Sequence, residues 1–346
     1  MNNLIPIENI YYLLCYSWNK LDEKEIVNVN ASGSIDVLNL FARILTAGLK
    51  HLFKRGFDRE YVLYQLDIRG IKGKLNFQES IKRNLFCHTY ANCEFDELDY
   101  NVLHNRLLKS TVNLLLRVKD LEEEYKDELL RIYNCRFHDI DLIELNDKVF
   151  SRVRLNRNNY FYDFLLKICQ LIVDNILIDE KTGESKFRDF LQDEVKMRHV
   201  FEEFLRNFYR FEQSDFKVSR EIIYWNIETF DDYAYKYLPE MKTDITLESK
   251  ERKIIIDAKY YKNTLDTNYG KDIIRSTNLY QISEYLRNIE VSGGINQNCE
   301  GILIYPTVNK EVDLKYNLAD HIIKIKTINL NQNWRNIHQN LLSFLN

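Results

Sequence analysis

Lys253–Lys262 reads KIIIDAKYYK. Three β-branched isoleucines run into Asp257 and Lys259, the composition of a buried strand that ends in charge. Residues two apart on a strand share a face, so Ile255, Asp257 and Lys259 point one way while Ile256 and Ala258 point the other. Upstream, MKTDITLE (Met241–Glu248) reads as the preceding strand, and the short link ESKER predicts a hairpin that brings Asp244 beside Asp257. Two carboxylates and one ammonium then meet at one edge. An Asp-x-Lys pair taken alone is more simply the solvated end of an ordinary strand.

The residues that follow add to the pair. NLYQISEYLRNI reads as a helix with Ser276, Thr277 and Asn278 available as caps. Gln281 and Tyr285 share one of its faces, while Leu279, Ile282, Leu286 and Ile289 form a stripe that packs on a sheet. Hydrolysis of a phosphodiester needs a divalent ion to neutralise phosphate and lower the pKa of an attacking water. Mg²⁺ takes hard oxygen ligands, and Asp244, Asp257 and the Ala258 carbonyl supply them. Lys259 is then the group that orients the water or stabilises developing charge.

Several further residues are auxiliary candidates, each with a plainer reading beside it. Glu202 and Glu203 in VFEEFL are either an upstream helical carboxylate for the site or a solvated helix face. Gln281 and Tyr285 are active-site or DNA contacts, or polar residues at a helix boundary. Lys262, Lys271 and Arg275 track a phosphate backbone or are ordinary surface cations. His88, His104 and His199 suggest no nucleophilic arrangement and read as structural.

The 346 residues favour two domains, and 45% hydrophobic with 29% charged composition is that of a folded globular chain. Three Pro and ten Gly favour long helices over a many-turned all-β protein. A net charge of −4 argues against a uniformly basic coat, though a local positive groove is compatible with it. The six Cys form no C-x-x-C pair, which fits reduced cytoplasmic thiols rather than a zinc site or a disulfide framework. No apolar run approaches the ~18 residues of a membrane span, and the expected location is cytoplasmic.

IPIENIYYLLCYSW (Ile5–Trp18) is apolar almost all round and predicts a buried helix that anchors the first domain. A second helix closes at Gly56. REYVLYQLDIRGIKGKLNF then predicts a strand, a tight turn at Gly70–Gly73 and a second strand, with Arg69, Lys72 and Lys74 at the tip. Helical periodicity returns over Asn101–Tyr133. The polar LNRNNY (Leu155–Tyr160) places the domain boundary at 158/159. Beyond it come two helices, strand candidates at REIIYW (Arg220–Trp225), MKTDITLE and KIIIDAKYY, a helix, the strand GILIYP, a strand near HIIKIKTINL and a final helix. The expected fold is mixed α/β: a mainly helical domain with a β-hairpin (1–158), then an αβββαβ domain (159–346).

Asp244, Asp-Ala-Lys at 257–259 and Gln281-x-x-x-Tyr285 resemble the PD-(D/E)xK nuclease superfamily, which fits a restriction-endonuclease-like second domain. Pro239 departs from the name by preceding Asp244 by five residues. With IPIENIYYLLCYSW, GIKGKLNF, NRLLKST, TDITL, DAKYYK, NLYQISEYL and GILIYP, nearly the whole chain resembles the McrC family, nuclease subunits of McrBC modification-dependent restriction systems. The resemblance implies Mg²⁺-dependent DNA cleavage by the second domain. It implies that the first domain docks on a hexameric McrB-type AAA+ GTPase and stimulates it, and that the partner binds GTP and recognises methylated cytosine in double-stranded DNA. No G-x-x-x-x-G-K-[ST] loop occurs here, in keeping with nucleotide hydrolysis in trans.

On this basis Arg69, Lys72 and Lys74 either enter the partner ring and bias its GTPase or form an exposed basic turn. A competing reading makes the chain a non-catalytic activator or scaffold whose nuclease-like domain only binds DNA or dimerises. The intact Asp, Asp and Lys set speaks against it. A stand-alone nuclease is a third reading, and cleavage without partner or GTP would mark it. Duplex cleavage geometrically favours pairing of two nuclease domains, a question the sequence leaves open.

Overall fold

The computed structural model describes residues 5–20, 36–156, 159–178, 185–187, 190–227, 233–261, 266–268, 271–307 and 311–346. The chain forms two compact units, one from Met1–Ser34 with Asp189–Asn346 and the other from Ile35–Arg188. This division replaces the single cut expected at 158/159. The described elements begin with α1 (Ile7–Ser17), which belongs to the first unit.

The Ile35–Arg188 unit contains α2 (Val37–Arg55), β1 (Glu60–Arg69), β2 (Lys74–Leu75), α3 (Phe77–Lys82), β3 (Tyr90–Asp99), α4 (Leu103–Leu115), α5 (Glu123–Arg136), α6 (Asp147–Phe150), α7 (Tyr160–Asn175), β4 (Ile176–Ile178) and β5 (Ser185–Phe187). Asp36 caps α2 by accepting from Asn39 N at 2.8 Å. Leu40, Phe41, Ile44, Leu45 and Leu49 form its buried stripe.

The expected hairpin takes a different form. β1 pairs with β3 over ten residues, Glu60 opposite Asp99 through Arg69 opposite Tyr90, and β2 lies on the far side of β3. Gly70–Gly73 is thus a crossover from β1 to β2. Gly73 has φ +68°, and a Cβ there would stand 2.4 Å from the Glu94 carbonyl oxygen, so the crossing needs glycine. Lys72 and Lys74 fold back along β3, paired with Glu97 at 3.1 Å and Glu94 at 3.5 Å. The residues expected at a tip therefore spread along the ribbon, and only Arg69 stands at its end.

The larger unit continues with α8 (Glu194–Glu212), β6 (Lys217–Ser219), β7 (Ile222–Ile223), β8 (Met241–Lys242), β9 (Ile245–Glu248), β10 (Lys253–Ala258), β11 (Asp266–Asn268), β12 (Lys271–Ile273), α9 (Ser276–Glu290), β13 (Glu300–Pro306), β14 (Asp313–Leu318), β15 (His321–Ile328) and α10 (Trp334–Ser343). Its six-stranded sheet has the order β14-β15-β13-β10-β9-β6. β13 runs parallel to β10 and β15, while β9 is antiparallel to β10 and to β6. The αβββαβ order holds, with one correction. The first strand of the sheet is Lys217–Ser219, whereas the expected Arg220–Trp225 contributes only the two residues of β7, paired with β8 outside that sheet. The chain leaves the sheet at Arg220, whose guanidinium is held by Glu202 and Glu203 of α8.

α1 is buried as expected, but against α8. Asn207 Nδ2 donates to the Tyr16 carbonyl at 2.8 Å, Asn9 Nδ2 donates to the Leu330 carbonyl at 2.7 Å, and Tyr12 stacks on Trp334 at 4.8 Å. Its aromatic surface finds no counterpart in sequence order, because its partners lie about two hundred residues or more along the chain.

β10 is buried at every position because β9 and β13 cover its edges while α8 and α9 pack against it. Ile255 joins Ile282, Leu286 and Ile289 of α9 in one core, each isoleucine or leucine contributing about 1.5–3 kcal/mol on burial. Gly301 of β13 admits this helix closely: a Cβ there would lie 2.8 Å from Ile282 Cγ1. The α9 cap differs from expectation. Arg275 occupies the N-cap position and no side chain caps the helix.

Candidate active site

The β9–β10 register sets Ile245 opposite Ile256, so the next step of the ladder brings Asp244 and Asp257 together. Asp244 Oδ2 accepts from Ala258 N at 2.9 Å. Lys259 N continues the ladder to the Ile304 carbonyl at 2.9 Å, which fixes the backbone from which its side chain departs. Lys259 Nζ then lies 2.8 Å from Asp257 Oδ2 and donates to Gln281 Oε1 at 2.8 Å.

Asp257 is fully buried, and neither carboxylate oxygen has a well-aligned hydrogen-bond donor. Lys259 approaches one of these oxygens at 2.8 Å as an ion pair. Burial raises the Asp257 pKa and Glu202 adds to the effect, against the opposing pull of Lys259. Burial, then Asp257 and Glu202, push Asp244 up to about 7 despite the Ala258 N–H and Lys259. Burial disfavours the Lys259 ammonium, but Asp257 and Asp244 outweigh it and hold the group above its ordinary pKa. The site carries more negative charge than its own donors satisfy, the condition a bound cation relieves.

The α9 residues extend the network. Gln281 Nε2 donates to Tyr285 Oη at 2.8 Å, and Tyr285 Oη donates to the Lys242 carbonyl at 3.1 Å. Gln281 therefore bridges Lys259 to a buried tyrosine anchored on β8, and Tyr285 acts through it rather than from an open surface.

The auxiliary candidates divide. Glu202 lies close enough to raise both aspartate pKa values, while it and Glu203 share Arg220, and Glu203 also pairs with Arg206. The Arg275 guanidinium stacks on Tyr261 at 4.3 Å. Lys271 lies on β12, and Lys262 is outside the described residues. Sequence reading missed Arg198, 6.0 Å from the same Tyr261 ring, and the relay from Tyr261 Oη through Asn278 to Tyr305. The Arg198 and Glu202 spacing of four was the available signal for a shared helix face.

Among the described residues, the set of three acidic or imidazole side chains whose ligand atoms all lie within 4.8 Å of one another is elsewhere: Asp58, Glu60 and His104. His104 was read as structural. Asp58 and His104 are far apart in sequence, and nothing in their spacing announces the cluster.

The model of the McrBC 5-methylcytosine restriction system component family matches residues 8–306. The chain belongs to that family. This McrBC-family chain is 33% identical over 339 residues to the Escherichia coli (strain K12) type IV methyl-directed restriction enzyme EcoKMcrBC, covering 98% of this chain and 97% of the relative. Its fold resembles a chain in the refined half-complex from the tetradecameric assembly of Thermococcus gammatolerans McrB AAA+ hexamers with bound McrC. The TM-score is 0.63 at 17% identity, covering 98% of this chain and 75% of the other. No helix among the described residues is long and apolar enough to cross a membrane.

Proposed function

We propose that this chain is the DNA-cleaving subunit of a GTP-driven, methylcytosine-dependent restriction complex. The observation that carries the reading is the Asp257 carboxylate: fully buried, without an aligned donor, 2.8 Å from Lys259 and beside Asp244. Two buried carboxylates, Asp257 and Asp244, face the single Lys259 ammonium, and a divalent cation between them would balance the second charge.

Asp244 and Asp257 would hold Mg²⁺, with the Ala258 carbonyl as a further oxygen ligand. When bound, the ion supplies charge neutralisation at phosphate and acidifies water. Lys259 has three N–H groups and directs two toward Asp257 and Gln281, which leaves one for a phosphate oxygen or the attacking water. Gln281 and Tyr285 keep that ammonium in place. Glu202, drawn aside by Arg220, tunes the field without joining the ligand set in this arrangement. Arg275, Lys271 and Lys262 are proposed phosphate contacts, and Arg198 joins them through Tyr261.

The nuclease role falls to the unit containing Asp189–Asn346, and docking on a McrB-type AAA+ hexamer to the Ile35–Arg188 unit. Family membership supports this division, as does the exposure of Tyr61 and Leu63 on the ribbon, at 76% and 62%. Arg69, Lys72 and Lys74 on that ribbon are the proposed stimulators of the partner's GTPase, and reading of the modified base belongs to the partner.

The deciding experiment measures cleavage of methylated plasmid in Mg²⁺ by the wild-type chain and Asp257→Ala, with and without the cognate GTPase and GTP. Cutting by wild type alone, and only with partner and GTP, is expected. No cutting by either, with GTPase stimulated by both, would make the chain a non-catalytic activator.

A further inference from the structure

We propose that Asp58, Glu60 and His104 form a second divalent-cation site, separate from the aspartates of β9 and β10 and suited to a first-row transition metal such as Zn²⁺.

The cluster joins two elements of the Ile35–Arg188 unit. Asp58 and Glu60 flank the start of β1, and His104 lies in the first turn of α4. The ligand atoms of the three side chains lie within 4.8 Å of one another, and His104 Nε2 stands 3.2 Å from Asp58 Oδ2, about the separation of two ligands on one tetrahedral ion. His104 is 2% exposed, and its Nε2 has no hydrogen-bond partner of acceptable geometry although Asp58 Oδ2 is 3.2 Å away. A buried imidazole nitrogen that faces the Asp58 carboxylate without an aligned hydrogen bond, with the Glu60 carboxylate in the same cluster, is placed to act as a ligand.

The supporting contacts are built for position. Asn159 Nδ2 donates to Asp58 Oδ2 at 2.8 Å, and Asp58 N donates to Tyr162 Oη at 2.9 Å. Tyr162 Oη donates to Asn105 Oδ1 at 2.8 Å, and Asn105 Nδ2 returns to the Asp58 carbonyl at 3.0 Å. The His104 ring packs edge-on against Tyr162 at 4.6 Å. Outer contacts of this kind fix ligand orientation in metal sites. Burial lowers the His104 pKa against the pull of Asp58 and Glu60, favouring the neutral ring that a metal requires.

One imidazole with two carboxylates favours a borderline metal over Mg²⁺, which prefers an all-oxygen shell. The bound ion would clamp the base of the β1–β3 ribbon to α4, so its consequence is the stiffness of the ribbon rather than phosphodiester chemistry.

The test is calorimetric titration of Zn²⁺ into the full chain carrying Asp244→Ala and Asp257→Ala, in excess Mg²⁺ to occupy hard-oxygen sites. One zinc ion per chain is expected, with affinity reduced more than about tenfold on adding either His104→Ala or Glu60→Gln. Glu60 is exposed, so Glu60→Gln decides the matter even where loss of the buried His104 prevents folding. Absence of zinc binding, or binding unchanged by Glu60→Gln, would overturn the site.

Discussion

Lys259 Nζ lies 2.8 Å from Asp257 Oδ2 inside the sheet, where the aspartate side chain is wholly buried and the lysine side chain is 12% exposed. Each charge is tolerable there because of the other. Lys259→Met is therefore expected to lose cleavage by at least about a hundredfold and to destabilise the metal-free fold by about 3–5 kcal/mol at neutral pH. Adding Asp257→Asn to Lys259→Met should recover much of that stability while cleavage stays absent. Denaturant midpoints alongside plasmid cleavage distinguish the two effects, and a double variant less stable than Lys259→Met would contradict the pairing.

Asp244 gives a pH dependence of definite sign. Its folded pKa is pushed from an ordinary 3.8 up to about 7, so the folded chain retains a proton that the unfolded chain releases. The metal-free protein gains from this group below 3.8 and loses that gain as pH rises through about 7. A cation must displace the same proton, so apparent Mg²⁺ affinity should rise with pH up to about 7, by as much as about tenfold per pH unit. Calorimetric titrations at pH 6 and pH 8 check it, and equal affinities would remove Asp244 as the titrating ligand.

Gln281 connects the ammonium to the helix. Gln281→Ala removes the Lys259 Nζ acceptor and the donor to Tyr285 Oη, leaving the ammonium held by Asp257 and the tyrosine by the Lys242 carbonyl, and a fall in kcat of about ten- to hundredfold is expected with little change in KM for DNA. Gln281→Glu keeps an acceptor for Lys259 and should retain more activity than the alanine. The reverse order would remove Gln281 as the positioning group.

Gly301 sets how closely α9 approaches the sheet. A methyl there meets Ile282 Cγ1 at 2.8 Å and Leu286 Cδ1 at 3.0 Å, so Gly301→Ala should cost about 1–3 kcal/mol and displace the helix that carries Gln281. Adding Ile282→Val should return part of that loss. Chemical denaturation of the three variants measures it, and a neutral Gly301→Ala would show that the helix gives way freely.

The triple change of Arg69, Lys72 and Lys74 to Ala should lower stimulation of a McrB-type GTPase. The Lys72 and Lys74 ion pairs are exposed, so the fold should lose no more than about 1 kcal/mol. GTP turnover by the partner with each form is the measurement, and unchanged turnover would separate these cations from GTPase stimulation.

The sequence by itself determined the strand that carries Asp257 and Lys259, the adjacent Asp244, and the helix that presents Gln281. All three follow from local rules: period two along a strand, a short link that forces antiparallel neighbours, and period three to four along a helix. Tertiary structure alone decided what these rules do not reach. α1 joins Asp189–Asn346 in one unit because its aromatic stripe packs on α8 and α10, and β3 came between β1 and β2 because a ten-residue ladder outweighs a short hairpin. The clustering of Asp58, Glu60 and His104 and the full burial of Asp257 arise in the same way. Charge, burial and partnership depend on which distant elements close around a side chain, and that is settled only when the chain packs.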